Sequence, residues 1–289
     1  MSLTLLEASR RTDPQRELRS EMVRVWSQLE AIDRAAAIRV LNAVAEMRRE
    51  ILDQLAALPT VTIDEHDSFE ATSLRTMASD LEAAAARFEQ RYSLALGEDM
   101  RAAAQYADEA HRAALTQLAR SSGVPQSFIT LTPFGLSDAQ MEAAILLNNS
   151  AIKNVSQATV ARVNAEIQRV VFGGQSRWEA VQNIRDALGT TGKDLGALTQ
   201  RAITIERTAV MQAFNIAADH SYRQALEELP DLQVEWVTAK DKRVDPLCVA
   251  LNGKRKEPRG TFPGGIIAPP RHPRCRCRTV AYLPAWDGK

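Results

Sequence analysis

The apolar positions Leu18, Met22, Val25, Leu29, Ile32, Ala36, Val40, Val44, Met47, Ile51, Leu55 and Leu58 advance by threes and fours with no glycine or proline among them. That spacing is the stripe of one long amphipathic helix, which Pro59 ends. At 1.5 Å per residue, a helix over about 15–58 is roughly 65 Å long. Such a length points to an extended hairpin or a coiled coil.

A second helical run carries Phe69, Met77, Leu81, Ala84 and Phe88 on one face, after a short connector at Val61, Thr62 and Ile63. Gly97 is read as an interruption, after which Met100, Ala103, Ala107, Ala110, Ala114 and Leu118 continue the stripe to a breaker cluster at 121–125. The two runs read as an antiparallel helical hairpin. His66 and His111 lie here without neighbouring ligands and read as surface or packing histidines. After a loop with Pro133 and Gly135, Ser137 and Gln140 form a capping-box pattern that opens a helix carrying Ile145, Ile152, Val155, Val163, Ile167 and Val170. Shorter and longer helices are expected over 176–188 and 194–229.

Past Pro230 the composition changes: prolines and glycines become dense and the helical period ends. Val234, Trp236 and Thr238 alternate as in a short strand, Asn252-Gly253 is a hairpin turn, and 278–282 is a returning strand. The expected fold is therefore mainly α: a long helical hairpin or bundle, followed by a small α+β C-terminal module with short strands. The expected division is an extended helical arm over 1–135 and a second domain over 136–289, helical to about 229 and irregular with β-structure over 230–289.

Aromatic residues make up only 5% of the chain against 45% hydrophobic, so small side chains that let helices approach closely supply much of the core. No segment reaches the eighteen or so apolar residues of a membrane span, and residues 1–14 hold no apolar core behind a basic start, so no membrane partner and a cytosolic site of synthesis are expected. The formal charge is zero, yet residues 230–289 carry 12 Lys/Arg against 6 Asp/Glu, leaving 24 against 30 before them. This polarity suits contact with DNA or an acidic protein surface, or equally a solvated loop.

All three cysteines lie in that basic end, beside His272. Cys248, His272, Cys275 and Cys277 are soft ligands close in sequence, and four such groups complete a tetrahedral structural zinc site. Asp245, three residues before Cys248, is an additional oxygen ligand candidate. The other reading is a proline-stiffened loop whose cysteines simply pack. A faint likeness to zinc-dependent DNA nucleases lacks a second histidine, and no Walker A, dinucleotide fingerprint, G-x-S-x-G or H-E-x-x-H is present.

The order Trp236, Thr238, Asp241, Cys248, Asn252, Gly253, Pro269, Pro270, His272, Pro273, Cys275, Arg276, Cys277 resembles the conserved end of the Mu F-like phage head-morphogenesis, or minor capsid, family. Upstream, Ala202, Ile205, Arg207, Thr208 and Asn215 fit its A-x-x-I-A-R-T-E helix, from about Gly174 onward. Two departures stand out: Ala209 replaces the usual acid, and Asp245 stands where many relatives carry a cysteine.

The resemblance implies a minor capsid protein of a tailed phage or prophage, acting without catalysis near the portal during procapsid assembly and DNA packaging. Implied partners are the portal, scaffold or major capsid protein, with self-association through the helical arm; the implied locations are the host cytoplasm during assembly and the virion head. Arg207, Thr208, Trp236, Asp241, Gly253, Pro270, Pro273 and Arg276 are then structural motif residues. Arg271, Arg274 and Arg278 are candidates for contact with packaged DNA. A zinc-dependent DNA-processing enzyme of nuclease type is the alternative.

Overall fold

The computed structural model describes residues 14–57, 66–121, 137–171, 175–189, 196–239 and 241–284. Among them, six helices and three strands follow in the order α1 (Pro14–Ala57), α2 (His66–Ser121), α3 (Asp138–Val171), α4 (Arg177–Ala187), α5 (Ala197–Ala225), β1 (Gln233–Val237), α6 (Pro246–Val249), β2 (Arg255–Lys256) and β3 (Arg278–Tyr282). The chain is thus mainly helical with a small C-terminal sheet. The sequence breakers at Pro59 and 122–125, the connector at 61–63, and the loop with Pro133 and Gly135 lie outside the described residues.

The stripe of α1 is buried as its period requires: Leu18, Met22, Val25, Leu29, Ala36, Val40, Val44, Met47 and Ile51 all face the interior. Gly97 does not interrupt α2, which runs unbroken from His66 to Ser121. A glycine inside a helix costs about 1 kcal/mol relative to alanine, and its neighbours Leu96 and Met100, both fully buried, outweigh that cost.

The chain divides into two compact units, each assembled from separate stretches: Met1–Asp33, Asp99–Met141 and Thr208–Lys289 form the first, and Arg34–Glu98 and Glu142–Arg207 the second. In the second unit the guanidinium of Arg87 donates to Glu50 at 2.8 and 3.1 Å, and Arg91 donates to Glu46. One partner steps back four residues as the other steps forward four, so these parts of α1 and α2 run antiparallel, as the hairpin reading requires. The Tyr92 hydroxyl donates to the Ala202 carbonyl at 3.1 Å, fastening α2 to α5. Ser176 and Glu179 form a complete capping box at the start of α4. Gly196 lies so close to Ala187 that a Cβ there would meet its carbonyl oxygen at 2.1 Å, which explains a glycine at this crossing.

The first unit holds the antiparallel sheet, in the order β2-β1-β3. Gln233 pairs with Tyr282 through to Val237 with Arg278, and Val234 pairs with Lys256. The β1 strand departs from simple alternation: Glu235 and Val237 are buried along with Val234 and Trp236. The cause is a second layer supplied by the start of α1. Arg19 donates to Glu235 at 2.6 Å, Arg255 donates to its other oxygen at 3.1 Å, and the Gln15 amide reaches the Ala281 carbonyl at 3.3 Å. The guanidinium of Arg255 also lies over the Tyr282 ring, 3.4 Å from its centroid. On the other side, α5 packs against β3 through the Tyr222 hydroxyl, which donates to the Thr279 carbonyl at 3.3 Å. His111 of α2 completes this core edge-on to Phe214 and Tyr222, centroids 5.4 and 5.3 Å away.

Candidate metal centre

The residues that carry the sequence motif meet one another. The Trp236 amide donates to the Lys254 carbonyl and the Gly253 amide to the Trp236 carbonyl, each at 2.8 Å. The amide and hydroxyl of Thr238 both donate to Asn252 Oδ1, at 3.0 and 3.1 Å. Gly253 has φ of 76°, the left-handed region that favours glycine, and open space where a Cβ would point. Trp236 is fully buried, edge-on to Phe262 with centroids 5.1 Å apart.

This hairpin leads into the one-turn helix α6. Asp245 is its N-cap, with Oδ1 accepting from the Leu247 amide at 2.8 Å, and Pro246 occupies the first helical position. The turn directs Cys248 inward, where it is fully buried. One carboxylate oxygen thus caps the helix, and Asp245 is not among the residues whose ligand atoms all lie within 4.8 Å of one another.

That group is Cys248, Cys275 and Cys277, all buried, with sulfurs within 4.8 Å of one another. Cys275 and Cys277 point the same way because they alternate along the extended segment entering β3. Cys248 Sγ and Cys275 Sγ are 3.8 Å apart. Two sulfurs at about 2.3 Å from a tetrahedral zinc lie at roughly this separation. His272 touches one sulfur, with Nε2 3.2 Å from Cys248 Sγ, but is not in the group whose ligand atoms all lie within 4.8 Å of one another. Its Nδ1 is 2.8 Å from the Pro273 carbonyl. A carbonyl only accepts, so Nδ1 carries the proton and Nε2 presents its lone pair, the tautomer a metal requires.

The thiols are electrostatically unequal. The hydrogen bond from Cys277 holds Cys275 down at about 5, donating that bond keeps the Cys277 proton well above the ordinary thiol range, and burial pushes Cys248 up to about 11. One sulfur readily becomes a thiolate and the others then resist. Three sulfurs this close shed their protons together only with a compensating cation. The group can hold a metal ion.

Other motif residues fix the loop around this cluster. The Arg274 amide, at φ of 60°, donates to Thr208 Oγ1 at 3.2 Å, and Asn215 donates to the Cys277 carbonyl at 3.4 Å. Arg276 grips Asp241 through two bonds of 2.6 and 2.5 Å. Pro270 is half-buried, Pro273 exposed and Arg207 half-buried.

Of the three arginines assigned to DNA, Arg271 and Arg274 are exposed. Arg278 is not: it is buried, donates to Glu30 at 3.0 Å and lies 5.5 Å from the Trp26 ring centroid, because it already belongs to β3 and faces α1. The sequence reading missed the buried pair of Lys256 and Asp219, 2.7 Å apart. Lys256 Nζ also reaches the carbonyls of Pro258 and Gly260, and no local motif signals that arrangement.

Fold and site together define a helical protein closed by a small antiparallel sheet that carries a buried three-cysteine cluster. Residues 148–280 match the model of the family described as Phage Mu protein F like protein, and over this segment the chain is similar to that family. The match begins upstream of Gly174, where the motif resemblance starts, and takes in most of α3. No curated protein and no solved structure matches the chain. Among the described residues no helix is long and apolar enough to cross a membrane.

Proposed function

We propose that the chain is a minor head-morphogenesis protein of a tailed phage or prophage, acting by binding near the portal while the procapsid forms and DNA is packaged. The family match over 148–280 carries this reading. The geometry supports a structural use of the motif, since Trp236, Thr238, Asn252 and Gly253 bond among themselves, Arg276 holds Asp241, and Thr208 holds the Arg274 amide. Such side chains shape a binding module and leave none of that set aimed at a substrate. In this reading Zn2+ is held by Cys248, Cys275 and Cys277 with His272 as the fourth ligand, and serves as a cross-link between α6 and the start of β3. Arg271 and Arg274 are the cations through which the module would touch packaged DNA.

Copurification tests the partner. Tagged protein from induced or infected cells is expected to bring down portal protein in procapsid fractions. Recovery of the tagged protein alone, with portal protein abundant in the same lysate, would contradict portal-proximal binding.

A further inference from the structure

A cavity of about 440 Å³ lies within the first unit, in the size range of ligand pockets. One wall is a single face of α5, where Gln212, Ile216, Asp219, His220 and Arg223 recur at helical spacing. The opposite wall is the segment leading into the cysteine cluster, with Ile267, Pro269 and Pro270. Gln140, in the first turn of α3, closes one side.

The polar wall has an excess of donors. Among the described residues that line it, Asp219 is the only carboxylate, and both of its oxygens are taken, Oδ1 by Lys256 at 2.7 Å and Oδ2 by Arg223 Nε at 2.7 Å. Asp219 is thus shared by two cations, Arg223 in the wall and Lys256 behind it, while Asp108, itself paired with Arg112, lies near His220. The terminal nitrogens of Arg223 make no hydrogen bond to any described residue, and His220 Nδ1 is buried without a partner. A guanidinium edge beside an imidazole nitrogen without a hydrogen bond suits an anionic oxygen. The facing wall is apolar, and Ile267 is 51% exposed at its rim. A nucleic-acid backbone has nothing to bury against isoleucine and proline, whereas a peptide does.

We infer that this cavity binds a short peptide segment of a partner protein, taking an acidic side chain at Arg223 and His220 and an adjacent aliphatic side chain against Ile267, Pro269 and Pro270. The inference rests on the reading that the chain binds other head proteins, and supplies the chemistry by which one is recognised.

The test uses the full chain and two fluorescein-labelled pentapeptides, alanine-leucine-glutamate-leucine-alanine and its glutamine counterpart, followed by fluorescence polarisation. The glutamate peptide should bind at least about tenfold tighter, the ratio expected of one charge-assisted bond. Arg223→Gln should bring that ratio to about one. Ile267→Glu, at an exposed position that folding tolerates, should weaken both peptides, and Lys254→Gln, an exposed cation outside the cavity wall, should change neither. Equal binding of the two peptides, no saturable binding of the glutamate peptide, or unaltered binding by both cavity variants would overturn the inference. So would complete displacement of the glutamate peptide by inorganic phosphate with Ile267→Glu silent, which would mark a simple anion site. None of these outcomes touches the role in head assembly, which the yield of infectious particles reports separately.

Discussion

Arg276 and Asp241 form a two-pronged ion pair across 35 residues, Nη1 to Oδ2 at 2.6 Å and Nη2 to Oδ1 at 2.5 Å. The planar fork matches the carboxylate in a way a lysine ammonium does not. It joins the turn that follows β1 to the extended segment between Cys275 and Cys277, just before β3, and so helps to position both sulfurs. The Arg243 amide adds a third donor to the same carboxylate at 2.9 Å.

Arg276→Lys is therefore expected to lower the melting temperature and loosen the cysteine cluster although the charge is kept. The Arg276 fork, helped by the Arg243 amide, holds the Asp241 carboxyl well below the usual carboxylate range. A depressed carboxylate stabilises the fold above its unfolded value, about 3.9, and that contribution is lost only as pH falls further, through the lower folded value. Melting curves of wild type and Asp241→Asn should differ at pH 7 and converge in strong acid; a constant difference at all pH values would count against the pair.

Gly253 offers a backbone test. No atom lies within 4 Å of where its Cβ would go, so any cost of substitution comes from φ of 76° alone. Gly253→Ala should destabilise by about 1–2 kcal/mol, and Gly253→Asn by less, because asparagine tolerates the left-handed region. Urea denaturation ranks the two, and equal costs would show that the turn relaxes to another conformation.

The cysteine cluster predicts about one equivalent of zinc per chain in protein prepared without chelator. Elemental analysis of wild type and of Cys275→Ser should show the metal and its loss, and chelation should lower the melting temperature of wild type only. Less than roughly a tenth of an equivalent would favour a packed, metal-free loop.

His111 predicts a loss of stability in mild acid. Burial lowers its folded value to about 4, against about 6.5 in the unfolded chain, with its Nδ1 proton donated to the Ala107 carbonyl at 2.7 Å. Between those values the unfolded state binds more protons. Stability is thus fully present above about 6.5 and falls as pH drops toward 4, by on the order of 3 kcal/mol at most. His111→Leu should flatten the dependence of the urea midpoint between pH 7 and pH 4.5; an unchanged slope would show that other groups govern it.

Local patterns in the chain explain much of this architecture. The α1 stripe, the Asn252-Gly253 turn, the bounds of β3 and the convergence of Cys248 with Cys275 and Cys277 each follow from spacing or from a residue with one suitable conformation. Contacts from far along the chain were not legible. Glu235 is buried in a strand read as alternating because Arg19, 216 residues away, reaches it. Arg278 looks like the other arginines of its segment until Glu30, 248 residues away, takes its charge. Gly97 reads as a breaker only until the buried side chains beside it are counted.

The most direct test of a head-assembly role is deletion of the gene from the phage or prophage, followed by induction, counting of infectious particles and electron microscopy of the heads. The account predicts few DNA-filled heads and a yield restored by the wild-type chain but not by Arg276→Lys combined with Cys275→Ser. Normal numbers of infectious, DNA-filled heads from the deletion strain would contradict it.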